Sequence, residues 1–231
     1  MTSAPTPDSD ARRGAWETAY DNKQNFVFYP EEEVVRFVSR HLRQRQGLDT
    51  FRDVVPNAEG LKFLDAGCGI GRHLNMALTF GFDPYGFDLS ESAVAVARDW
   101  LGKSGLAAPD SRIIQADIRD LPYDTAFFDC VISHAVLDSM PTAIARDGIA
   151  ELARVLKPGG LFFCDFIGGG DHEEVITTEH EKGTLQSFFT PEKIDALLPD
   201  GFELIERVRT ERTTTRSAHV HSRLHVTLRR L

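Results

Sequence analysis

Cysteine is scarce in this chain: only Cys68, Cys130 and Cys164 occur in 231 residues. None stands at C-x-x-C spacing, which argues against a zinc ribbon or a dithiol redox centre. All three lie in or beside segments that read as buried strands, where they serve as small hydrophobes of a reducing compartment. Long apolar runs are missing too, since stretches such as Leu161-Phe162-Phe163-Cys164 fall far short of the roughly 20 residues that cross a bilayer. The opening MTSAPTPDSDARR lacks the apolar centre of a secretory signal. A cytoplasmic location without a membrane partner is therefore expected. Positive charge is in deficit, with 26 Lys and Arg against 35 Asp and Glu for a net −9. No basic footprint for nucleic acid is visible, and none is expected as a partner.

The pattern that is present is that of one α/β domain. Residues 1–13 are polar and aperiodic and read as a flexible tail, leaving residues 14–231 as a single domain. From Pro30, three acids and the stripe Val34, Val35, Phe37, Val38 and Leu42 predict an amphipathic helix to about Arg45. Short apolar runs then alternate with helical patterns, as in parallel strands joined by crossovers. Strands are predicted at Leu61–Asp65, Pro84–Asp88, Arg112–Ala116, Phe128–Ser133 and Gly160–Ile167. Helices are predicted near Gly71–Phe80, Glu91–Gly102 and Thr142–Leu156, the last stopped by Lys157-Pro158-Gly159-Gly160. A short helix at Pro191–Leu198, capped by Thr190, precedes strand-like Phe202–Arg209 and Ala218–Arg230. No crossover helix separates that pair, so it should lie antiparallel at a sheet edge.

Chemistry concentrates where Phe63-Leu64-Asp65-Ala66 turns through Gly67, Cys68, Gly69, Ile70 and Gly71 into a helix. Glycines let the backbone approach a ligand, and the helix start offers free amides. The spacing is G-x-G-x-G. The G-x-G-x-x-G of a dinucleotide fingerprint is not met, because Arg72 stands where its last glycine would fall, and this disfavours a dehydrogenase. Asp88 ends the next strand, where a carboxylate can accept from both hydroxyls of a ribose. Asp117 ends the third, where it can accept from an exocyclic amine.

The runs FLDAGCGIGRH, YGFDLSESAV, QADIRDLPYDTAFFDCVIS and ELARVLKPGGLFFCDF resemble successive motifs of class I S-adenosylmethionine-dependent methyltransferases. The resemblance covers residues 61–167 closely and the C-terminal strands loosely. It implies a Rossmann-like three-layer α/β sandwich on a mostly parallel seven-stranded sheet of order 3-2-1-4-5-7-6, with strand 7 antiparallel. It implies S-adenosyl-L-methionine as cofactor and S-adenosyl-L-homocysteine as product, with the glycine loop, Cys68 included, at the methionine part. Asp88 would hold the ribose, Asp117 and Ile118 would frame the adenine, and Leu89 would pack on its face. Asp65 and Ser133 join the cofactor-binding candidates. Residues of about 14–46 would form a helical lid, with Tyr29 as its cofactor contact. The acceptor implied is a small molecule, such as a sugar or natural-product intermediate, taken on oxygen or nitrogen.

For catalysis, His134 follows the fourth strand and is either a general base or a hydrogen-bonded wall residue. Asp138 either binds substrate or caps the helix after Pro141. The acidic loop Gly168–Glu174, with His172, either closes over substrate or is plain surface. His219, His221 and His225 share a strand face, but Arg223 on the same face opposes a metal cation and no metal is expected. A cofactor-binding partner without turnover stays open, as does the oligomeric state, a homodimer included. A protein or RNA methyltransferase is a less favoured variant.

Overall fold

Apolar residues alternate in direction along the central strands, and that alternation gives the sheet two buried faces. The computed structural model describes residues 9–213 and 220–231. Helix α1 (Ser9–Asp21) is followed by α2 (Glu32–His41) and a hairpin of β1 (Arg43–Arg45) and β2 (Phe51–Asp53). Then come β3 (Lys62–Ala66), α3 (Arg72–Thr79), β4 (Asp83–Asp88), α4 (Glu91–Lys103), α5 (Pro109–Arg112) and β5 (Ile113–Gln115). The chain continues through β6 (Phe128–Ser133), α6 (Thr142–Val155), β7 (Leu156–Gly168), β8 (Glu173–Val175), β9 (Leu185–Phe189) and α7 (Pro191–Asp195). It ends in β10 (Phe202–Thr213) and β11 (Val220–Arg230).

The main sheet runs β10-β11-β7-β6-β3-β4-β5, parallel from β7 to β5 and antiparallel through β11 and β10. This is the predicted Rossmann-like order with its antiparallel strand. On one face Leu64, Val131, Phe162 and Cys164 pack with Ile144, Ile149 and Leu152 of α6. On the other, Phe63, Cys130, Ile132 and Phe163 meet Val34, Phe37 and Val38 of α2 and Met76 of α3. The three cysteines are free and buried. Among the described residues no helix is long and apolar enough to cross a membrane.

Four local readings are corrected. Helix α1 begins at Ser9, inside the stretch expected to be a loose tail; residues 1–8 lie outside the described residues. Helix α2 stops at His41, because Leu42 leaves helical geometry (φ −121°, ψ −68°) and Arg43 turns into the β1–β2 hairpin. There the buried Arg43 pairs with Asp53 and Glu59, each at 3.0 Å, and Nη1 donates to the Phe80 carbonyl. The Gly168–Glu174 segment is no free flap: Glu173–Val175 pairs as β8 with β9, and β9 continues the sheet beside Ile167 and Gly168. Finally, Asp138 does not cap α6. The Thr142 amide and hydroxyl donate to Glu173 instead, both at 2.7 Å. By contrast Ser90 caps α4 and Thr190 caps α7 through side-chain oxygens that accept from the third residue on.

Candidate functional site

The carboxyl ends of β3, β4 and β6 open into one cavity, and the glycine loop forms its rim. Gly67 and Gly69 have φ of +74° and +53°, a region that costs side-chain-bearing residues energy. Space demands glycine as well: a Cβ on Gly67 would lie 2.4 Å from Val136 Cγ2, and one on Gly69 2.6 Å from Tyr20 Oη. The loop is drawn onto β4 because the Gly67 and Cys68 amides both donate to the Phe87 carbonyl, at 2.9 and 2.8 Å. Gly67→Ala therefore combines backbone strain of about 1–3 kcal/mol with a clash. Its S-adenosylhomocysteine affinity, read by calorimetry, should fall about tenfold or more.

Asp88 anchors this arrangement. Its Oδ2 accepts from the Gly69 amide at 2.8 Å and its Oδ1 from the Ser90 amide at 3.0 Å. The carboxyl is only 7% exposed. Burial pushes its pKa up to about 6, although the two amides pull the other way. Each oxygen keeps a lone-pair direction beyond the amide it already accepts. Phe87, Leu89, Ala116 and Ile118 supply an apolar wall beside it.

The N-terminal segment covers the opening. Trp16 and Tyr20 of α1, then Asn25 and Val27, line the cavity. Helix α1 is pinned on one side by Glu17, which accepts from the Ser92 amide at 2.9 Å, next to the start of α4. On the other side Gln24 exchanges hydrogen bonds with Glu179 and Glu181, both at 2.9 Å. Arg12 also lines the cavity, and its Nε and Nη1, like Asn25 Nδ2, are buried with no hydrogen-bond partner. Buried donors of this kind call for an acceptor. A carboxylate placed for a diol, an apolar slot and spare donors together fit an adenosine carrying an amino-acid tail.

Of the residues singled out from sequence, Gly67, Cys68, Gly69, Asp88, Leu89, Ile118 and His134 line the cavity. Gly71 does not, but its φ of +93° and the crowding of a Cβ against Leu101 and Ala97 fix the loop's exit into α3. Asp65 and Ser133 lie beneath the loop, fully buried, with Asp65 Oδ2 3.6 Å from His73 Nδ1. The Asp117 carboxylate turns away to Arg119, at 2.9 and 2.8 Å, and its pKa is lowered chiefly by that side chain. Tyr29 is 80% exposed and off the cavity, whereas Trp16 and Tyr20 line it. His172 stacks on Phe188 at 4.3 Å outside the cavity. Asp138 is buried against Arg223 and is not among the residues that line the cavity. Sequence reasoning missed Arg12, His73 and Glu181 in the lining. Arg12 was hidden by its place in an expected tail. His219 lies outside the described residues, and among those described no group of three His, Cys, Asp or Glu could hold a metal.

Comparison with known proteins agrees with this geometry. A sequence profile described as a methyltransferase domain matches residues 64–164. The chain is 31% identical over 160 residues to the ubiquinone biosynthesis O-methyltransferase of Roseobacter denitrificans, covering 64% of this chain and 62% of that one. It shares its fold with a methyltransferase from Methanosarcina mazei, at 23% identity and TM-score 0.63 over 78% of this chain and 99% of that one. The Burkholderia thailandensis 1,6-didemethyltoxoflavin-N1-methyltransferase, solved with S-adenosylhomocysteine bound, superposes at TM-score 0.67 and 17% identity over 99% of this chain and 93% of that one. The chain spans about half the length of curated relatives it matches. Loop, anchored acid, sheet order and matched segment agree: residues 64–164 match a methyltransferase domain, set on the Rossmann-like sheet that the solved methyltransferases share.

Proposed function

We propose that this protein transfers a methyl group from S-adenosylmethionine to oxygen or nitrogen of a small molecule, such as a sugar or natural-product intermediate. The observation that carries the reading is the Gly69 amide held by the buried Asp88 carboxylate at the rim of a cavity that His134 also lines. Bound there, the cofactor supplies an electrophilic methyl on a sulfonium. Asp88 would hold the ribose hydroxyls, and Leu89 and Ile118 would offer the adenine an apolar wall. Residues 14–46 act as the lid of a single domain, with Trp16 and Tyr20 excluding water so that the acceptor is aligned against the methyl. A net charge of −9 favours a small or cationic acceptor over a polyanion. The relatives named for ubiquinone biosynthesis and didemethyltoxoflavin support the same class of acceptor.

Calorimetry with S-adenosylhomocysteine tests this directly; absence of binding to the pure protein overturns it. Its pH dependence is a second check. Because Asp88 ionises near pH 6 and only the ionised form accepts fully from both hydroxyls, affinity should be flat above about pH 7. It should then weaken about tenfold per pH unit below about 6. An Asp88→Asn variant should bind weakly with no such slope.

A further inference from the structure

Helix α1 crosses the cavity, and one of its faces carries three residues that line it: Arg12, Trp16 and Tyr20, spaced four apart. That spacing is a ruler. Tyr20 stands over the glycine loop, where its Oη would lie 2.6 Å from a Cβ on Gly69. Arg12 lies eight residues nearer the start of the helix, about 12 Å away along its axis. The surrounding charges agree with this placement. Burial is the largest influence on both side chains; after it, Asp88 acts on the Tyr20 hydroxyl and Asp117 on the Arg12 guanidinium. Arg12 therefore stands at the end of the cavity bounded by Ala116 and Ile118, the residues on either side of Asp117.

An acid was expected to read the ligand at this end, and that acid is occupied. Asp117 Oδ1 accepts from the Arg119 amide at 3.0 Å and from its Nε at 2.9 Å, while Oδ2 accepts from Nη2 at 2.8 Å. Both lone pairs of Oδ1 are filled, and Asp117 is not among the residues that line the cavity. What faces the cavity there is a donor. Arg12 Nε and Nη1 are buried with no hydrogen-bond partner, a state that costs free energy until a ligand supplies an acceptor. The adjacent wall of Ala116 and Ile118 has no side-chain acceptor to offer. Adenine does: its exocyclic amine donates, but the ring nitrogens beside that amine accept.

We propose that Arg12 reads the adenine of the cofactor, its guanidinium donating to a ring nitrogen beside the exocyclic amine, N1 or N7, so that helix α1 sets the choice of base. This rests on the methyltransferase reading and gives Arg12 the task expected of Asp117. The amino-acid tail of the ligand lies at the other end of the ruler, under Tyr20.

Calorimetry on the full chain tests this with S-adenosylhomocysteine, with its analogues carrying carbon in place of N1 or of N7, and with methylthioadenosine, which lacks the amino-acid tail. Arg12→Met should weaken S-adenosylhomocysteine about tenfold or more and methylthioadenosine by the same factor. Its melting temperature without ligand should equal that of wild type, because neither buried donor has a protein partner to lose. One of the two carbon analogues should bind wild type as weakly as the variant binds the parent, and should lose nothing further in Arg12→Met. Unchanged S-adenosylhomocysteine affinity in the variant overturns the proposal. So does a loss that disappears with methylthioadenosine, which would put Arg12 at the tail, and so does a full further loss with both carbon analogues. If S-adenosylhomocysteine fails to bind wild type, the methyltransferase reading itself falls; if wild type binds and only the response to Arg12→Met departs, the assignment of Arg12 alone falls.

Discussion

Asp88→Ala is expected to cost S-adenosylhomocysteine binding about a hundredfold or more while leaving the protein as stable as wild type, or more so, at neutral pH. Two charge-assisted bonds to the ribose are each worth about 1.5–3 kcal/mol, so losing both removes at least about 3 kcal/mol, or two powers of ten. The stability half follows from the sign of the pKa shift. A carboxyl whose folded pKa is raised, here from 3.8 to about 6, favours the folded state in its neutral form. The stability linked to it is lost as pH rises from about 4 through 6. At pH 7 the ionised, buried Asp88 therefore weighs against folding by about 3 kcal/mol relative to its neutral form, a net figure that already includes the hydrogen bonds it accepts from Gly69 and Ser90. Retaining a destabilising acid is reasonable only if a ligand needs it. Thermal melts with and without S-adenosylhomocysteine check both halves. Wild type should gain stability on adding ligand and the variant should not, whereas a variant that melts far below wild type in the absence of ligand would refute the account.

The sheet was legible because its pattern is local. Each strand from Lys62 to Gly168 is a short apolar run punctuated by glycine, an acid or a capping residue. A parallel α/β order follows once strand and helix alternate. The cofactor rim was legible for a related reason: Gly67, Gly69 and Asp88 belong to consecutive elements, and strand ends are where such folds bind ligands. The failures share one cause, which is that each side chain takes a partner that local propensity does not reveal, in two of the three cases from far along the chain. Asp138 looks like a helix cap because its neighbours favour caps, but Arg223, 85 residues away, takes it. Glu173 caps α6 from 31 residues away. Asp117 looked free for an adenine, and a near neighbour, Arg119, occupies it. One signal was available and unused: the acid in Phe162-Phe163-Cys164-Asp165-Phe166. A charge inside a buried run requires a partner, and seeking one leads to the arginine of the last strand.

That arginine gives the second large effect. Arg223→Met should destabilise the fold by about 3–5 kcal/mol, the cost of leaving the buried Asp165 and Asp138, to which Nη2 donates at 2.9 and 2.7 Å, without their counter-ion. For a chain of this size the melting temperature should drop by about 6–20 °C. Methionine is flexible enough to occupy the stem's space, so lost charge and hydrogen bonding outweigh lost volume. The pH dependence separates this cause from a packing defect. In wild type Asp165 is held below the usual range, so its contribution is complete above the unfolded pKa near 4 and fades only as the pH falls further. Without Arg223, both Asp165 and Asp138 are acids whose folded pKa is raised by burial, and such groups lose stability as pH rises above about 4. The gap between variant and wild type should therefore widen from pH 5 to pH 8 in denaturant melts. Adding Asp138→Asn, which removes one stranded carboxylate, should recover part of it at pH 8 and little at pH 5. A deficit independent of pH would mean that Arg223 acts through its apolar stem, and the two carboxylates would then need another source of order.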